Sequence, residues 1–217
     1  MEDHIHGVVQ EAKDRNSGYI RDIDSLIKLR RKTVGVAVSA ALLFLFTEIP
    51  DEILDHPTMQ RLVELSIDIV FYENVCRPFT IQTQEPNTYS LPQDILSYQK
   101  EHAANEPHNM ATVYMRAYKV SLQEAIDWLG KQIDRFVEEF VQLQHQRFWD
   151  EPALDKVVRG YILGLGEVVR GCHSWTFEGK RYFGKDNVSV QESRTFSMCS
   201  GIKEKFICWE TPEERST

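Results

Sequence analysis

The chain has 217 residues, 42% of them hydrophobic and 11% aromatic, which is enough apolar material for one sizeable core and argues against wholesale disorder. Its 33 acidic residues outnumber 25 basic ones for a formal charge of -8, which argues against a sequence-independent grip on nucleic acid. Any anionic ligand must then be held by a local cluster of cations. Cys76, Cys172, Cys199 and Cys208 form no CxxC pair, and the N-terminus MEDHIHGVVQEAKDR lacks the apolar run of a signal peptide. Both features fit a reducing, cytoplasmic setting.

In chain order, Asp14 to Arg31 reads as a helix. The most apolar stretch follows, VGVAVSAALLFLF from Val34 to Phe46, which is well short of the roughly 20 residues that span a bilayer. It reads as a buried helix. His56 to Asn74 reads as a further helix, with Pro57 in the first turn, where its missing amide costs nothing. Segment 75–93, with Pro78, Pro86 and Pro92 and no helical stripe, interrupts the pattern, and so long a structureless loop is unusual inside a compact bundle.

From Ser121 to about Trp149, Leu122, Ala125, Ile126, Leu129, Ile133, Phe136, Val137, Phe140 and Leu143 recur at three- and four-residue steps, so they form one apolar stripe. Ser121 and Glu124 have the spacing of a capping box at its start. Pro152 separates this helix from another, carrying Leu154, Val157, Val158, Tyr161, Ile162, Leu165, Val168 and Val169 and ending near Gly171. The tail 185–217 is polar and aperiodic. No run of alternating strand residues and no internal repeat is evident, so the fold class is all-α, a bundle of about five or six helices.

Ser97 and Glu101 in DILSYQKEH lie four apart, on one face of a helix, where a hydroxyl and a carboxylate can turn two hard oxygens towards one Mg2+. Alone, the pair reads as a solvated face, and Lys100 as an ordinary surface lysine. If 75–93 is skipped, Asn74 abuts Asp94, and Asn74, Ser97 and Glu101 fall at steps of four as three oxygen donors for one cation. That string, N-D-I-L-S-Y-Q-K-E, resembles the Asn-Asp-x-x-Ser-x-x-x-Glu magnesium motif of class I terpene synthases. The continuation HAANEPHNM and SLQEAIDWLG resembles the fungal, basidiomycete-like sesquiterpene synthase branch, from about Val8 to Gly184.

The resemblance implies roles for other residues. LRRKTVG, Leu29 to Gly35, is similar to the family's diphosphate-sensing segment, which would make Arg31 the sensor, Val34 the linker and Gly35 the effector at a helix break. Arg181 and Tyr182 in WTFEGKRYFG resemble the C-terminal Arg-Tyr pair that binds diphosphate. Lys100 matches a lysine that contacts diphosphate in related fungal enzymes. Mg2+ with Arg31, Lys100 and Arg181 would then stabilise the trianionic leaving group of a prenyl diphosphate, farnesyl diphosphate for a sesquiterpene cyclase. Phe71, Tyr98, Tyr114 and Trp175 are aromatic candidates to face the carbocation, each with a plain core role as the competing reading. His173 is read as a satisfied polar residue at a helix end rather than as a base.

The family pattern also implies a domain division. Residues 1–184 would be the C-terminal portion of a terpene synthase α domain, interrupted at 75–93 by a non-native insertion, and 185–217 an irregular tail. Val75 needs a GT-starting codon and Gln93 admits CAG, so 75–93 is readable as a translated intron; transcripts that always retain it would refute this. As written, Gln93 sits four before Ser97 and offers an amide oxygen one methylene farther out than Asn74 would. The family's aspartate-rich motif has no counterpart, since DRNSGYIRDID lacks both its adjacency and its place. The chain is expected to be truncated and to turn over little or no substrate alone. The competing class is a non-catalytic helical fragment or interaction module, self-associating through an exposed half-core.

Overall fold

The computed structural model describes residues 2–44, 48–73, 80–82, 88–89, 109–178, 185, 187–189 and 195–196. The helices are α1 (Glu2–Ser17), α2 (Ile23–Thr33), α3 (Val36–Phe44), α4 (Asp51–Leu54), α5 (Pro57–Glu73), α6 (Met110–Tyr118), α7 (Leu122–Leu143) and α8 (Asp155–Glu178). Three short strands, β1 (Thr80–Gln82), β2 (Thr88–Tyr89) and β3 (Thr195–Phe196), pair in the order β2-β1-β3, the first pair antiparallel and the second parallel. The all-α class therefore holds, with more helices among the described residues than the five or six expected. Strands β1 and β2 lie within the segment that breaks the helical pattern, and β3 lies in the tail.

The single helix expected from Asp14 to Arg31 is two. Gly18 adopts φ +66°, a left-handed conformation that glycine takes without penalty, and the amides of Gly18 and Tyr19 close onto the carbonyls of Arg15 and Asp14 at 3.2 and 2.9 Å. Asp22 then caps α2, its carboxylate accepting from the Ser25 amide at 2.8 Å. This hydrogen bond holds the Asp22 carboxyl below its ordinary range.

The apolar stretch expected to be a buried helix is buried on one side only. In α3, Val36 and Ala40 are buried, whereas Ala41 and Leu42 are exposed, because the described neighbours of α3, chiefly α8 and α5, lie along one face. The Ser121 capping box forms as expected: the Ser121 hydroxyl accepts from the Glu124 amide, and the Glu124 carboxylate accepts from the Ser121 amide at 2.8 Å. Helix α8 runs past its expected end near Gly171 to Glu178. Its residues Val168, Val169 and Cys172 pack against Val36, Ile67 and Val70, tertiary contacts that outweigh the roughly 1 kcal/mol cost of a mid-helix glycine.

Helix α5 is the centre of the molecule. Leu65 to Tyr72 are buried without interruption, as expected of a helix enclosed on all sides. Leu62, Leu65 and Ile69 join Phe140 of α7 and Val158, Tyr161, Ile162 and Leu165 of α8 in one cluster. Phe71 and Tyr72 join Leu26 of α2, Met110 and Val113 of α6, and Leu129 and Ile133 of α7 in another. Tyr161 is among the largest fully buried side chains, and burial pushes its phenol far up in pKa.

Candidate functional site

Of the residues given a metal, diphosphate or effector role from the sequence, Arg31 and Gly35 lie among the described residues; Asn74, Ser97, Lys100, Glu101, Arg181 and Tyr182 lie outside them, as does the aromatic candidate Tyr98. Arg31 occupies the last turn of α2, where a cation complements the helix dipole. The backbone then breaks. Val34 is extended, with φ -67° and ψ 131°, while its amide still reaches the Arg30 carbonyl at 2.8 Å, and α3 resumes at Val36. Gly35 lies in the intervening turn, exposed, its carbonyl accepting from the Ser39 amide at 3.0 Å and the Ser39 hydroxyl at 3.3 Å. Neither a positive φ nor crowding demands glycine there, since a β-carbon would meet nothing within 4 Å.

Arg31 reaches from α2 into the middle of α5. Its Nε donates to Asp68 Oδ1 at 2.8 Å and its second terminal nitrogen to Oδ2 at 2.6 Å, a two-pronged pair with a carboxylate that is only 1% exposed. This pairing raises the guanidinium pKa, and Glu64, 3.4 Å from the other terminal nitrogen, adds to it. Glu64 also meets Arg61 at 3.2 Å, and Arg61 grips Glu139 of α7 through both carboxylate oxygens at 2.7 Å. The Arg61 hydrogen bond holds the Glu139 carboxyl below its ordinary range, and the same bond raises the Arg61 pKa. Asp68, Arg31, Glu64, Arg61 and Glu139 thus form a continuous charged ladder across α2, α5 and α7.

Sequence reasoning missed Asp68, Glu64, Arg61 and Glu139. A usable signal was present: Arg61, Glu64 and Asp68 lie at three- and four-residue steps on one face of α5. Asp68 also falls within Ser-Ile-Asp-Ile-Val-Phe, where burial of a carboxylate requires a partner.

The aromatic candidates divide. Phe71 is a buried core residue, edge-on to Tyr72, with the Arg30 guanidinium 5.3 Å from its ring centre. Tyr114 stacks on Trp128 at 4.1 Å, and Trp175 is exposed. His173 is half-buried within α8, not at its end, because the helix continues to Glu178. A second concentration of basic side chains lies between α1 and α2, where a cleft of about 340 Å³ is lined by Arg21, Lys28 and Lys32, with the His6 ring beside them. No cluster of three or more His, Cys, Asp or Glu among the described residues could hold a metal ion. The donors expected to do so, an amide oxygen, a hydroxyl and a carboxylate, suit a hard divalent cation by their chemistry.

The helical arrangement is that of terpene synthases in solved structures. A linalool/nerolidol synthase from Streptomyces clavuligerus, solved in complex with 2-fluorogeranyl diphosphate, superposes with a TM-score of 0.63 at 18% identity, over 80% of this chain and 55% of that one. An a-eudesmol synthase gives 0.62 at 20% identity, over 82% and 53%. The family described as terpene synthase family 2, C-terminal metal binding, matches residues 1–139, and the chain belongs to it.

Curated relatives include a Delta(6)-protoilludene synthase of Hypholoma sublateritium, 34% identical over 90% of this chain and 54% of its own length. A sesquiterpene synthase of Cyclocybe aegerita is 33% identical over 92% and 52%. A Delta(6)-protoilludene synthase of Stereum hirsutum is 35% identical over 91% and 49%. The chain spans about half the length of these relatives.

Proposed function

We propose that this chain is the C-terminal, diphosphate-facing portion of a sesquiterpene cyclase acting on farnesyl diphosphate with Mg2+. The observation that carries the reading is the helix break at Val34 and Gly35, one turn after an arginine whose guanidinium is fixed by a buried carboxylate. Asn74, Ser97 and Glu101 would hold the metal, which when bound supplies positive charge at the leaving group. Arg31, Lys100, Arg181 and Tyr182 would bind diphosphate oxygens, Arg31 through the donors that Asp68 leaves free. Gly35 would present its backbone to the substrate from the turn that joins α2 to α3. In the reaction the allylic carbon–oxygen bond breaks, the electron pair leaves with the diphosphate, and these cations stabilise the charge that develops.

The same reading takes 1–184 as family sequence, interrupted at 75–93 by a non-native insertion, with 185–217 as an irregular tail. Among the described residues no helix is long and apolar enough to cross a membrane. Because this sequence contains no aspartate-rich motif, the chain alone turns over little or no substrate. Purified chain incubated with farnesyl diphosphate and Mg2+ should release no hydrocarbon detectable in the headspace; robust product would refute this part of the proposal.

A second reading, a non-catalytic helical module that self-associates, is favoured by exposed apolar residues. These are Ile5, Val8 and Val9 at helical spacing on α1, Leu42 on α3, and Leu163 and Trp175 on α8. Calorimetric titration with Mg2+ and inorganic diphosphate separates the two. Binding that is lost in Arg31→Ala and Glu101→Ala supports the ligand site, and no binding supports the module.

A further inference from the structure

The geometry points to a division of labour at Arg31, resting on the reading that this arginine meets diphosphate. Asp68 is a positioning residue that keeps one edge of the guanidinium, and Glu64 is a displaceable carboxylate that occupies the other edge until a phosphate oxygen replaces it.

A guanidinium has five N–H donors in a rigid fork. Asp68 takes two, from Nε at 2.8 Å and from a terminal nitrogen at 2.6 Å, so both of its oxygens are engaged. At 1% exposure, Asp68 would become an unpaired buried charge if Arg31 swung away, so the Asp68 edge stays bound when a ligand arrives. The opposite edge differs. Glu64 lies 3.4 Å from it, longer than the roughly 2.7–2.9 Å of a strong charge-assisted bond, and Glu64 is 46% exposed.

Releasing Glu64 strands no charge. Its second oxygen is already 3.2 Å from Arg61, which is itself anchored to Glu139 at 2.7 Å through each oxygen. A diphosphate oxygen, more highly charged than a carboxylate and able to approach closely, takes the vacated edge while Glu64 passes to Arg61. The ladder thus holds the arginine in place before binding and receives the displaced carboxylate afterwards.

The test is calorimetric titration of the full 217-residue chain with inorganic diphosphate in the presence of Mg2+, with the Arg31 Nε–H signal followed by NMR. Glu64→Gln removes the competing charge and should tighten binding about two- to five-fold, the scale of an exposed ion pair, with no loss of thermal stability. A merely structural role for Glu64 would leave affinity unchanged or lower it. In the unchanged chain the Nε–H signal should persist through the titration, because that edge stays on Asp68. Arg31→Gln should weaken binding by at least about tenfold, as expected on losing charge-assisted bonds to phosphate, whereas Lys28→Gln, in the α1–α2 cleft, should not.

Unchanged or weaker binding in Glu64→Gln, or loss of the Nε–H signal on binding, overturns this inference while leaving the role of Arg31 intact. No binding by the unchanged chain, or equal binding by Arg31→Gln, overturns the underlying reading as well.

Discussion

Replacing either member of the Arg31–Asp68 pair should destabilise the fold, and the two losses should be unequal. Arg31→Gln leaves a carboxylate that is 1% exposed with no guanidinium, the case of a broken buried pair, which costs about 3–5 kcal/mol. Asp68→Asn leaves a guanidinium that is 31% exposed, with Glu64 still 3.4 Å away and water within reach. Its cost lies between that of a surface pair and that of a buried one, at about 2 kcal/mol. For a chain of this size that corresponds to a fall in Tm of roughly 4–8 °C. The double variant should cost much less than the sum, with a coupling of about 2 kcal/mol, because neither remaining side chain is charged. Urea melts of the four proteins at neutral pH measure all three quantities. Equal costs for the single variants, or a coupling below about 0.5 kcal/mol, would refute the argument that burial of Asp68 sets the energy of the pair.

Two glycines should respond in opposite directions to alanine, as read by urea midpoint. At Gly7 a β-carbon would come within 2.9 Å of Thr33 Cγ2 and 3.0 Å of Lys32 Cβ, so Gly7→Ala should destabilise by about 1–2 kcal/mol after the helix-propensity gain. Gly35→Ala meets nothing and should hold or raise stability by about 0.4–1 kcal/mol; a loss would show that the break needs glycine for folding. Ser121→Ala removes the α7 capping box and should cost about 1 kcal/mol by the same measurement. Glu139 has its pKa depressed below 4.5 by Arg61, so its contribution is present above that value and fades as pH falls through the lowered one. The stability difference between the unchanged chain and Glu139→Gln should therefore be constant from neutral pH down to about 4.5 and shrink below it; a difference that grows on acidification would contradict the sign.

Much of the fold was legible because burial follows helical period. The stripe from Leu122 to Leu143 and the Ser121 box place α7 to within a residue of its observed start. The same logic failed at Asp14 to Arg31. Apolar periodicity continued across the gap, while the features that end and restart the helix, Gly18 and the Asp22 cap, are single residues with no periodic signature. It also overstated the burial of α3, since composition reports how apolar a segment is and not how many neighbours it has. Of the candidate site, Arg31 and Gly35 are picked out by the likeness of the contiguous stretch LRRKTVG to a family segment. Asp68 pairs with Arg31 across 37 positions and Glu139 with Arg61 across 78, and no local pattern encodes pairings at such distance.

The distribution of charge and apolar surface across the bundle is itself an argument about what a partner would change. Charge is spent inside, where Asp68 sits among Ile67, Ile69 and Val70 in the enclosed half of α5, and is neutralised there by an arginine from α2. Apolar surface is left outside, on the outward faces of α1, α3 and α8. A partner covering those faces would remove apolar area from water and raise stability without touching the ladder, because none of Ile5, Val8, Leu42 or Leu163 belongs to it. A ligand at Arg31 would do the reverse, exchanging Glu64 for phosphate while burying almost no apolar surface. The two kinds of association are therefore separable by heat capacity: binding to the apolar faces should carry a large negative change and binding of diphosphate a small one.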